Sequence, residues 1–137
     1  EQQALMNALD INMRKVFEYY LQCGEEQRIQ IQISSTSQVP AWRVSLKDSV
    51  TILGNLIENA MEAVRALPEE DRKIQIQLSG DGVNVLTIQN KFAGHPQNPH
   101  RAGHGYGISL ACDAARKYGM ELVTEESSSD FIVTIIK

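Results

Sequence analysis

Residues 73–90, KIQIQLSGDGVNVLTIQN, carry the pattern that most restricts what this chain can fold into. Apolar and polar residues alternate on both sides of Asp81-Gly82, which is typical of a β-hairpin. The step at Val85-Leu86 interrupts the alternation and predicts a bulge. The residues expected on the apolar face are Ile74, Ile76, Leu78, Val83, Val85 and Ile88. Because the strands of a hairpin are antiparallel neighbours, this segment excludes an all-parallel sheet.

Apolar periodicity predicts the other elements. They are a helix over residues 4–21 that stops at Gly24, a strand over 28–34, a helix from a Ser45 cap to about Ala66, a loop over 91–105, a helix over 108–119 that stops at Gly119, and a second hairpin around 127–129. This order predicts an α+β fold. We expect a two-layer sandwich in which one mixed, mostly antiparallel sheet carries helices on one face.

Composition and charge narrow the class of protein. The chain has 137 residues, 42% of them hydrophobic, so we expect one globular domain. Its net charge of −4 argues against nucleic acid as a partner. Its apolar runs fall well short of the roughly 18 residues of a membrane span, so we expect no direct membrane contact. Cys23 and Cys112 lack metal-ligand spacing, and reduced thiols are expected.

The acidic residues are unevenly distributed along the chain. There are 17 of them, yet none lies between Gly82 and Cys112. The basic residues and histidines of the same stretch are Lys91, His95, His100, Arg101 and His104. A chance gap in a loop is one explanation, and a binding site for a small polyanion is the other. Charge alone leaves both open.

The long predicted helix carries two asparagines, Asn55 and Asn59, four residues apart. Asparagine is a poor helix former, because its amide competes for backbone hydrogen bonds. With Glu58 and Glu62 the asparagines form a polar stripe on one side of the helix. The apolar stripe opposite consists of Leu53, Leu56, Ile57, Ala60, Met61 and Val64. A solvated outer face explains the glutamates well and the asparagines poorly, and a stripe that faces a ligand is the alternative.

A second pattern is GHGYGIS, residues 103–109, where three alternate positions are glycine before a predicted helix. Helix N-termini present unpaired N–H groups and partial positive charge, and glycine lets the backbone approach closely, which suits phosphate. A glycine triplet is a weak signal by itself, and the acid-free loop before it strengthens the prediction. Asn90, at the end of the hairpin, is either a turn asparagine or an amide that reads a base edge.

These motifs resemble a known family. NLIENAMEA (55–63) resembles the N box of the gyrase, heat-shock chaperone, histidine kinase and MutL (GHKL) ATPase superfamily, and GHGYGISL (103–110) resembles its second glycine box. The order of motifs and strands agrees over about residues 28–137. Within the superfamily the chain is most similar to the quorum-sensing peptide-pheromone receptor histidine kinases. The resemblance implies a Bergerat-type fold, ATP and Mg²⁺ as ligands, and protein-histidine kinase activity.

The resemblance also implies residue roles. Asn59 would give its side-chain oxygen to Mg²⁺, and Asn55 would support the metal or the phosphates. Asn90 would stand where the family has an adenine-reading aspartate in its first glycine box, of which only Gly94 is kept. That departure leaves adenine selectivity open, because an amide can donate hydrogen bonds to a base as well as accept them. The other residues implied to contact nucleotide are Lys91, Arg101, Gly103, His104, Gly105, Tyr106, Gly107 and Ile108.

The residue at position 55 restricts the chemistry. In the superfamily members that activate water a glutamate stands there, whereas an amide cannot accept a proton at neutral pH. We assign no catalytic residue and expect a kinase that delivers the γ-phosphoryl of ATP to a histidine on a separate helical domain. Two alternatives stay open. One is a serine kinase of the anti-sigma-factor type, and the other is a non-catalytic module that binds nucleotide or partners.

The resemblance also implies a longer protein. Residues 1–25 would be a helical lead-in from a dimerising domain that bears the phosphoacceptor histidine, and residues 26–137 would be the ATP-binding catalytic domain. The expected partners are ATP or ADP, that histidine domain, a response regulator and a second copy of the full-length protein. The expected setting is the cytoplasmic part of a membrane-anchored receptor in a bacterial two-component system.

Overall fold

The computed structural model describes residues 2–36, 38–93 and 102–137, without the side chains of residues 102–106. Its helices are α1 (Gln2–Ala8), α2 (Ile11–Gln27), α3 (Leu46–Ser49), α4 (Asn55–Arg65) and α5 (Ala102–Arg116), with a π-helical segment (Val50–Gly54) between α3 and α4 and a 3₁₀ turn (Glu69–Asp71) after α4. Its strands are β1 (Gln30–Ser35), β2 (Lys73–Ser79), β3 (Val85–Lys91), β4 (Glu121–Glu126) and β5 (Asp130–Ile136).

The strands form one mixed sheet in the order β1-β2-β3-β5-β4. β1 and β2 are parallel, and every other neighbouring pair is antiparallel. One face of the sheet joins the helices in a single hydrophobic core, whereas outward residues such as Gln75 and Gln77 are exposed. The predicted α+β sandwich, with helices on one face of a mostly antiparallel sheet, is confirmed.

The hairpin is confirmed, but the predicted bulge is wrong. Leu78 pairs with Leu86 and Ile76 with Ile88 in an uninterrupted register. The inner face of β3 therefore consists of Leu86, Ile88 and Asn90, all buried, and Val85 points to the other face. Val83 lies in the connection between the strands and is 49% exposed, so the alternation starts afresh at Val85. Gly82 has a φ of 84°, as expected of a turn glycine.

The N-terminal helical region differs from the prediction at both ends. The helical region is interrupted before Ile11. There the Asp10 carboxylate caps α2 by accepting a hydrogen bond from the Asn12 N–H at 2.9 Å. The helix then passes through Gly24 and ends at Gln27. Gly24 is buried because β1 lies against it: a Cβ there would stand 2.8 Å from the Ile29 carbonyl oxygen. Its missing side chain makes room for the strand and does not stop the helix.

The long helix begins and ends where the sequence predicts. The Ser45 hydroxyl caps it by accepting from the Asp48 N–H at 3.1 Å, and α4 ends at Arg65. Every residue of the predicted apolar stripe is buried against the sheet and neighbouring helices. The π-helical segment in the middle was not predicted, since nothing in residue periodicity distinguishes it from α-helix.

The fold also bears on the expectations about membrane contact and about the two thiols. None of the helices in the described ranges is long and apolar enough to cross a membrane. Cys23 and Cys112 are free thiols, each partly exposed.

Candidate functional site

Asn55 stands where the π-helical segment passes into α4, and both ends of its amide are engaged. Its Nδ2 donates to the Thr51 carbonyl at 2.7 Å. Its Oδ1 faces α5, where an ideal Cβ built on Gly107 would stand 3.5 Å from it. The side chain is half-buried between the two helices. Asn55 therefore lies directly against the glycine-rich segment.

α5 runs antiparallel past the π-helical segment and α3. Gly107 contacts Asn55 near one end, while the Tyr118 hydroxyl donates to Asp48 Oδ2 at 2.6 Å near the other. Lys117 Nζ lies 3.0 Å from Asp48 Oδ1. The Tyr118 hydroxyl and then the Lys117 ammonium lower the pKa of the Asp48 carboxyl, because both stabilise its charged form. The C-terminal end of α5 is thus attached to the start of α3.

The start of α5 corrects a prediction. The helix begins at Ala102, so that Gly103, Gly105 and Gly107 belong to it, whereas the sequence predicts a helix only from 108. The prediction followed from the low helix propensity of glycine, about 1 kcal/mol below alanine. Packing against α4 and the π-helical segment outweighs that propensity. At Gly107 the contact with Asn55 is an ordinary one, so steric crowding does not require glycine there.

Asn59, one turn after Asn55, is buried with 9% of its surface exposed. Unlike the Asn55 amide, its side chain has no hydrogen-bond partner among the residues that the structure describes. Glu58 and Glu62, predicted to share its stripe, are exposed. Tyr20 from α2 lies near Glu58, and burial followed by that carboxylate raises the pKa of the tyrosine. The polar stripe therefore divides: the glutamates lie on its solvent side and the asparagines on its buried side.

Asn90 lies on the inner face of the sheet at the end of β3, 3% exposed. α4 packs across the same face of β3, so Asn90 belongs to the layer that holds the asparagine helix. The Asn90 Nδ2 donates to the Lys91 carbonyl at 2.8 Å. Because this donor is engaged, Oδ1 is the other polar atom of the amide and can only accept.

The remaining predicted residues fall into three groups. Lys91 follows Asn90 on the opposite face of the sheet, where its Nζ lies 3.8 Å from Asp71 Oδ1, so the structure does not group it with the asparagines. Ile108 is half-buried against the core beside Gly107. Gly94 and Arg101 lie outside the described residues, as do His95 and His100, and for His104 and Tyr106 only the helical backbone is described.

Two residues that shape the site were not found from the sequence. Thr51 contributes only its backbone carbonyl, which has no signature in residue type. Tyr20 comes from α2, 34 or more residues away in the chain, and only the fold brings it near Glu58 and to within 3.3 Å of a Cβ built on Gly54. The spacing of Thr51 and Asn55, at i and i+4, was the one available signal.

The arrangement has the groups that an anionic, metal-bound ligand needs. Amide oxygens are ligands that Mg²⁺ accepts, and a glycine-rich helix start offers N–H groups and partial positive charge to phosphate. An amide acceptor at the end of β3 suits the exocyclic amine of a base. The structure brings Asn55 against Gly107, with Asn59 one turn further along α4, and puts Asn90 on the sheet face that α4 packs across.

Solved structures with the same fold are catalytic domains or larger pieces of histidine kinases. The catalytic domain of the histidine kinase ThkA is 17% identical, with 91% of this chain and 89% of that chain covered and a TM-score of 0.70. The mycobacterial sensor histidine kinase MprB is 17% identical over 91% and 90%, with a TM-score of 0.66. AdeS of Acinetobacter baumannii is also 17% identical, with 90% of this chain but 62% of that chain covered and a TM-score of 0.66.

Sequence comparison identifies the family. A search of the curated proteins found no match. A family model described as the GHKL domain matches residues 44–136, a range that includes the asparagine helix, the hairpin and the glycine-rich segment. With this match over most of its length, and with the fold of histidine kinase catalytic domains, the chain belongs to the GHKL domain family.

Proposed function

We propose that this chain is the Mg²⁺- and ATP-binding catalytic domain of a sensor histidine kinase, which transfers the γ-phosphoryl to a histidine on a separate helical domain. The observation that carries the proposal is the contact between Asn55 and Gly107. It joins the two motifs that define the family in sequence. Had they lain on opposite sides of the molecule, no common nucleotide site could exist.

The surroundings of Asn59 fit a magnesium ligand. Its amide is largely buried, yet the described part of the protein offers it no hydrogen bond, and such a group gains from a ligand. A neutral amide supplies an oxygen without adding negative charge beside a triphosphate. Mg²⁺, when bound, neutralises charge on the phosphate oxygens. We propose Asn59 as the residue of this chain that holds it.

The start of α5 is the proposed phosphate site. Gly103, Gly105 and Gly107 fall within its first six residues, and Gly107 lies beside Asn55. Arg101 and His104 are the proposed cationic contacts to the β- and γ-phosphates, beside Gly94, Tyr106 and Ile108. Lys91 is left out of this proposal, because it lies on the other face of the sheet and has Asp71 as a partner.

The orientation of Asn90 supports adenine as the base. The family aspartate reads adenine by accepting a hydrogen bond, and an asparagine could have presented either end. Here the Lys91 carbonyl engages the nitrogen, so the oxygen is left to accept, as in a carboxylate. A base with an exocyclic amine at that position, such as adenine, complements this acceptor.

Phosphoryl transfer is favoured over hydrolysis by the groups around position 55. Asn55 cannot act as a base, and its nitrogen donates to the Thr51 carbonyl. Glu58, the nearest carboxylate on α4, lies near Tyr20 of α2 and within 4.0 Å of Arg65. The proposed reaction therefore depends on positioning and charge neutralisation, with the nucleophile supplied by another domain.

The wider setting is also a proposal. The pheromone-receptor subtype, a full-length dimer, a response regulator as partner and membrane anchoring of the receptor all depend on the resemblance of the N box and the glycine box. A histidine-bearing helical segment encoded directly upstream of Glu1 would support them. An upstream sequence without it would favour the serine-kinase or the non-catalytic alternative.

Calorimetry with the variants Asn59→Ala and Asn59→Asp tests the function. We expect wild-type protein to bind ATP and ADP more tightly with Mg²⁺ than without. Asn59→Ala should lose on the order of tenfold in affinity with Mg²⁺ and little in its absence, because only the metal ligand is removed. Asn59→Asp keeps an oxygen and should retain the Mg²⁺ effect. Absence of heat and of thermal shift at millimolar nucleotide would contradict the proposal.

A further inference from the structure

The π-helical segment Val50–Gly54 lies immediately before Asn55, in the middle of the long helix. π-Helical turns are rare and occur mostly as single insertions within α-helices, often beside functional sites. Here the segment ends one residue before Asn55, which contacts α5. Both the backbone N–H and the side-chain Nδ2 of Asn55 are directed to the Thr51 carbonyl, whose two lone pairs accept both.

This second hydrogen bond determines which way the Asn55 amide points. With Nδ2 held at 2.7 Å from the Thr51 oxygen, Oδ1 is turned away from the helix backbone and toward Gly107. The same backward bond occurs one turn earlier, where the Thr51 hydroxyl donates to the Lys47 carbonyl at 3.2 Å. A short side chain that donates to the carbonyl four residues before it is therefore an established feature of this helix.

The two asparagines consequently differ in a way that their spacing does not reveal. Asn55 is engaged by Thr51 on one side and packs on Gly107 on the other. Asn59 is more buried and has no such partner within the described ranges. A cation would be bound by the amide oxygen, and that of Asn55 is turned to Gly107 on α5, whereas no hydrogen bond to a described residue fixes the direction of the Asn59 amide.

We propose that Asn55 is a positioning residue and not a metal ligand: its hydrogen bond to the Thr51 carbonyl holds Gly107, and with it the start of α5, at a set place relative to Asn59. This inference rests on the proposed nucleotide site, whose phosphate-binding and metal-binding parts are on different helices. The Asn55 side chain lies where these helices meet, and we infer that it sets part of their relative position.

Replacing Asn55 by alanine and by serine separates the two roles. Alanine removes the donor, and the nucleotide affinity should fall about tenfold both with and without Mg²⁺, because the phosphate site moves. Serine can donate to the Thr51 carbonyl as Thr51 itself does to Lys47, and should restore most of the affinity. A metal ligand would behave differently: the loss would appear only with Mg²⁺, and serine would not rescue it.

Asn12 provides a matched control. Its Nδ2 also donates to a backbone carbonyl, that of Val44, at 2.9 Å, but far from Gly107 in the sequence and on α2. Asn12→Ala should lower the melting temperature about as much as Asn55→Ala and leave nucleotide affinity unchanged. An equal loss of affinity in both alanine variants would reduce Asn55 to a general contributor to stability and overturn the inference.

The backbone amide resonance of Gly107 in nucleotide-free protein reports the contact without any ligand. We expect Asn55→Ala to shift it and Asn55→Ser to return it toward the wild-type position. An unshifted resonance in the alanine variant, or equal affinity loss in the alanine and serine variants, overturns the positioning role. This measurement stays decisive if wild-type protein binds no nucleotide, a result that would contradict the proposed function alone.

Discussion

At the scale of single residues, the hydrogen-bond partners of buried polar side chains are the main support for a binding site. Among the described residues, the buried polar side chains are Ser49, Asn59 and Asn90. Ser49 accepts from Trp42 Nε1 at 2.8 Å, so its burial is explained by the protein itself. For Asn59, without a hydrogen bond among the described residues, and for Asn90, whose nitrogen donates to the Lys91 carbonyl, the proposed nucleotide site would supply the further partner.

Asn90 yields a prediction about base selectivity. Asn90→Leu should lower ATP affinity several-fold and narrow the difference between ATP and GTP, because a hydrogen bond in a desolvated site contributes about 0.5–1.5 kcal/mol. Competition of ATP and GTP for a fluorescent nucleotide measures both effects. Gln89→Leu, on the outer face of the same strand, should change neither. Equal weakening of ATP and GTP binding by Asn90→Leu would contradict a base-reading role.

At the scale of elements, α5 is held at both ends by different means. Its C-terminal end is attached to α3 through Asp48, with the side chain of that aspartate only 14% exposed. Its glycine-rich end rests on Asn55 without a hydrogen bond to it in the described contacts. The C-terminal end is therefore held by charged and hydrogen-bonded groups, and the glycine-rich end by packing.

The attachment through Asp48 predicts a pH dependence. The pKa of Asp48 is lowered in the folded protein, so its contribution to stability is present above the ordinary aspartate pKa of about 3.9 and is lost as the pH falls through the lowered value. Urea unfolding should show Asp48→Asn less stable than wild type at pH 7, with the difference shrinking below about pH 4. Asp113→Asn removes an exposed pair with Arg116 and should have little effect. A difference that does not vary with pH would exclude this linkage.

The two glycines at helix contacts should respond oppositely to alanine. Gly24→Ala places a Cβ 2.8 Å from the Ile29 carbonyl oxygen, and we expect a net loss of about 1–2 kcal/mol in unfolding free energy. Gly107→Ala meets only ordinary contacts and should stabilise α5 by up to about 1 kcal/mol while weakening nucleotide binding. Urea unfolding and calorimetry on both variants check this. Destabilisation by Gly107→Ala would mean that the helix start is more crowded than described.

For the whole molecule, the N-terminal helices belong to the same hydrophobic core as the rest. The buried residues that they contribute are Met6, Leu9, Met13, Val16, Phe17 and Tyr20. α1 also covers the outer edge of the sheet, where the Gln2 Oε1 accepts from the Ile33 N–H at 3.0 Å. The predicted boundary at residue 25 stays a prediction, and this packing argues that the lead-in shares one core with the GHKL domain.

Deleting residues 1–25 tests that boundary. Each of the six buried side chains contributes about 1.5–3 kcal/mol, which together rivals the 5–15 kcal/mol stability of a typical domain. We expect the shortened chain to lose a cooperative thermal transition in calorimetry. Deletion of residues 1–9, which removes α1 and spares α2, should lower the melting temperature and preserve cooperativity. A shortened chain that unfolds cooperatively would instead support an independent domain from residue 26.

Local patterns predicted the features that depend on neighbours in sequence. The alternation in β1 and β2, the second hairpin, the Ser45 cap, the apolar stripe of α4 and the turn at Gly82 are all confirmed, because side-chain periodicity and turn chemistry act over a few residues. Three predictions were wrong. They concern the register of β3, the path of α2 through Gly24 and the start of α5. Each is decided by packing against an element distant in the chain.

The sequence by itself determined the class of fold, the two motifs and the identity of the polar residues that they contain. Only the tertiary structure decided that Asn55 contacts Gly107 and that Glu58 lies near Tyr20. It also decided that the Asn90 oxygen is left to accept a hydrogen bond, while Lys91 lies near Asp71 on the other face of the sheet. The physical reason is that residue type states which hydrogen bonds a side chain can make. Which of them it does make depends on backbone carbonyls and helices brought to it by the fold.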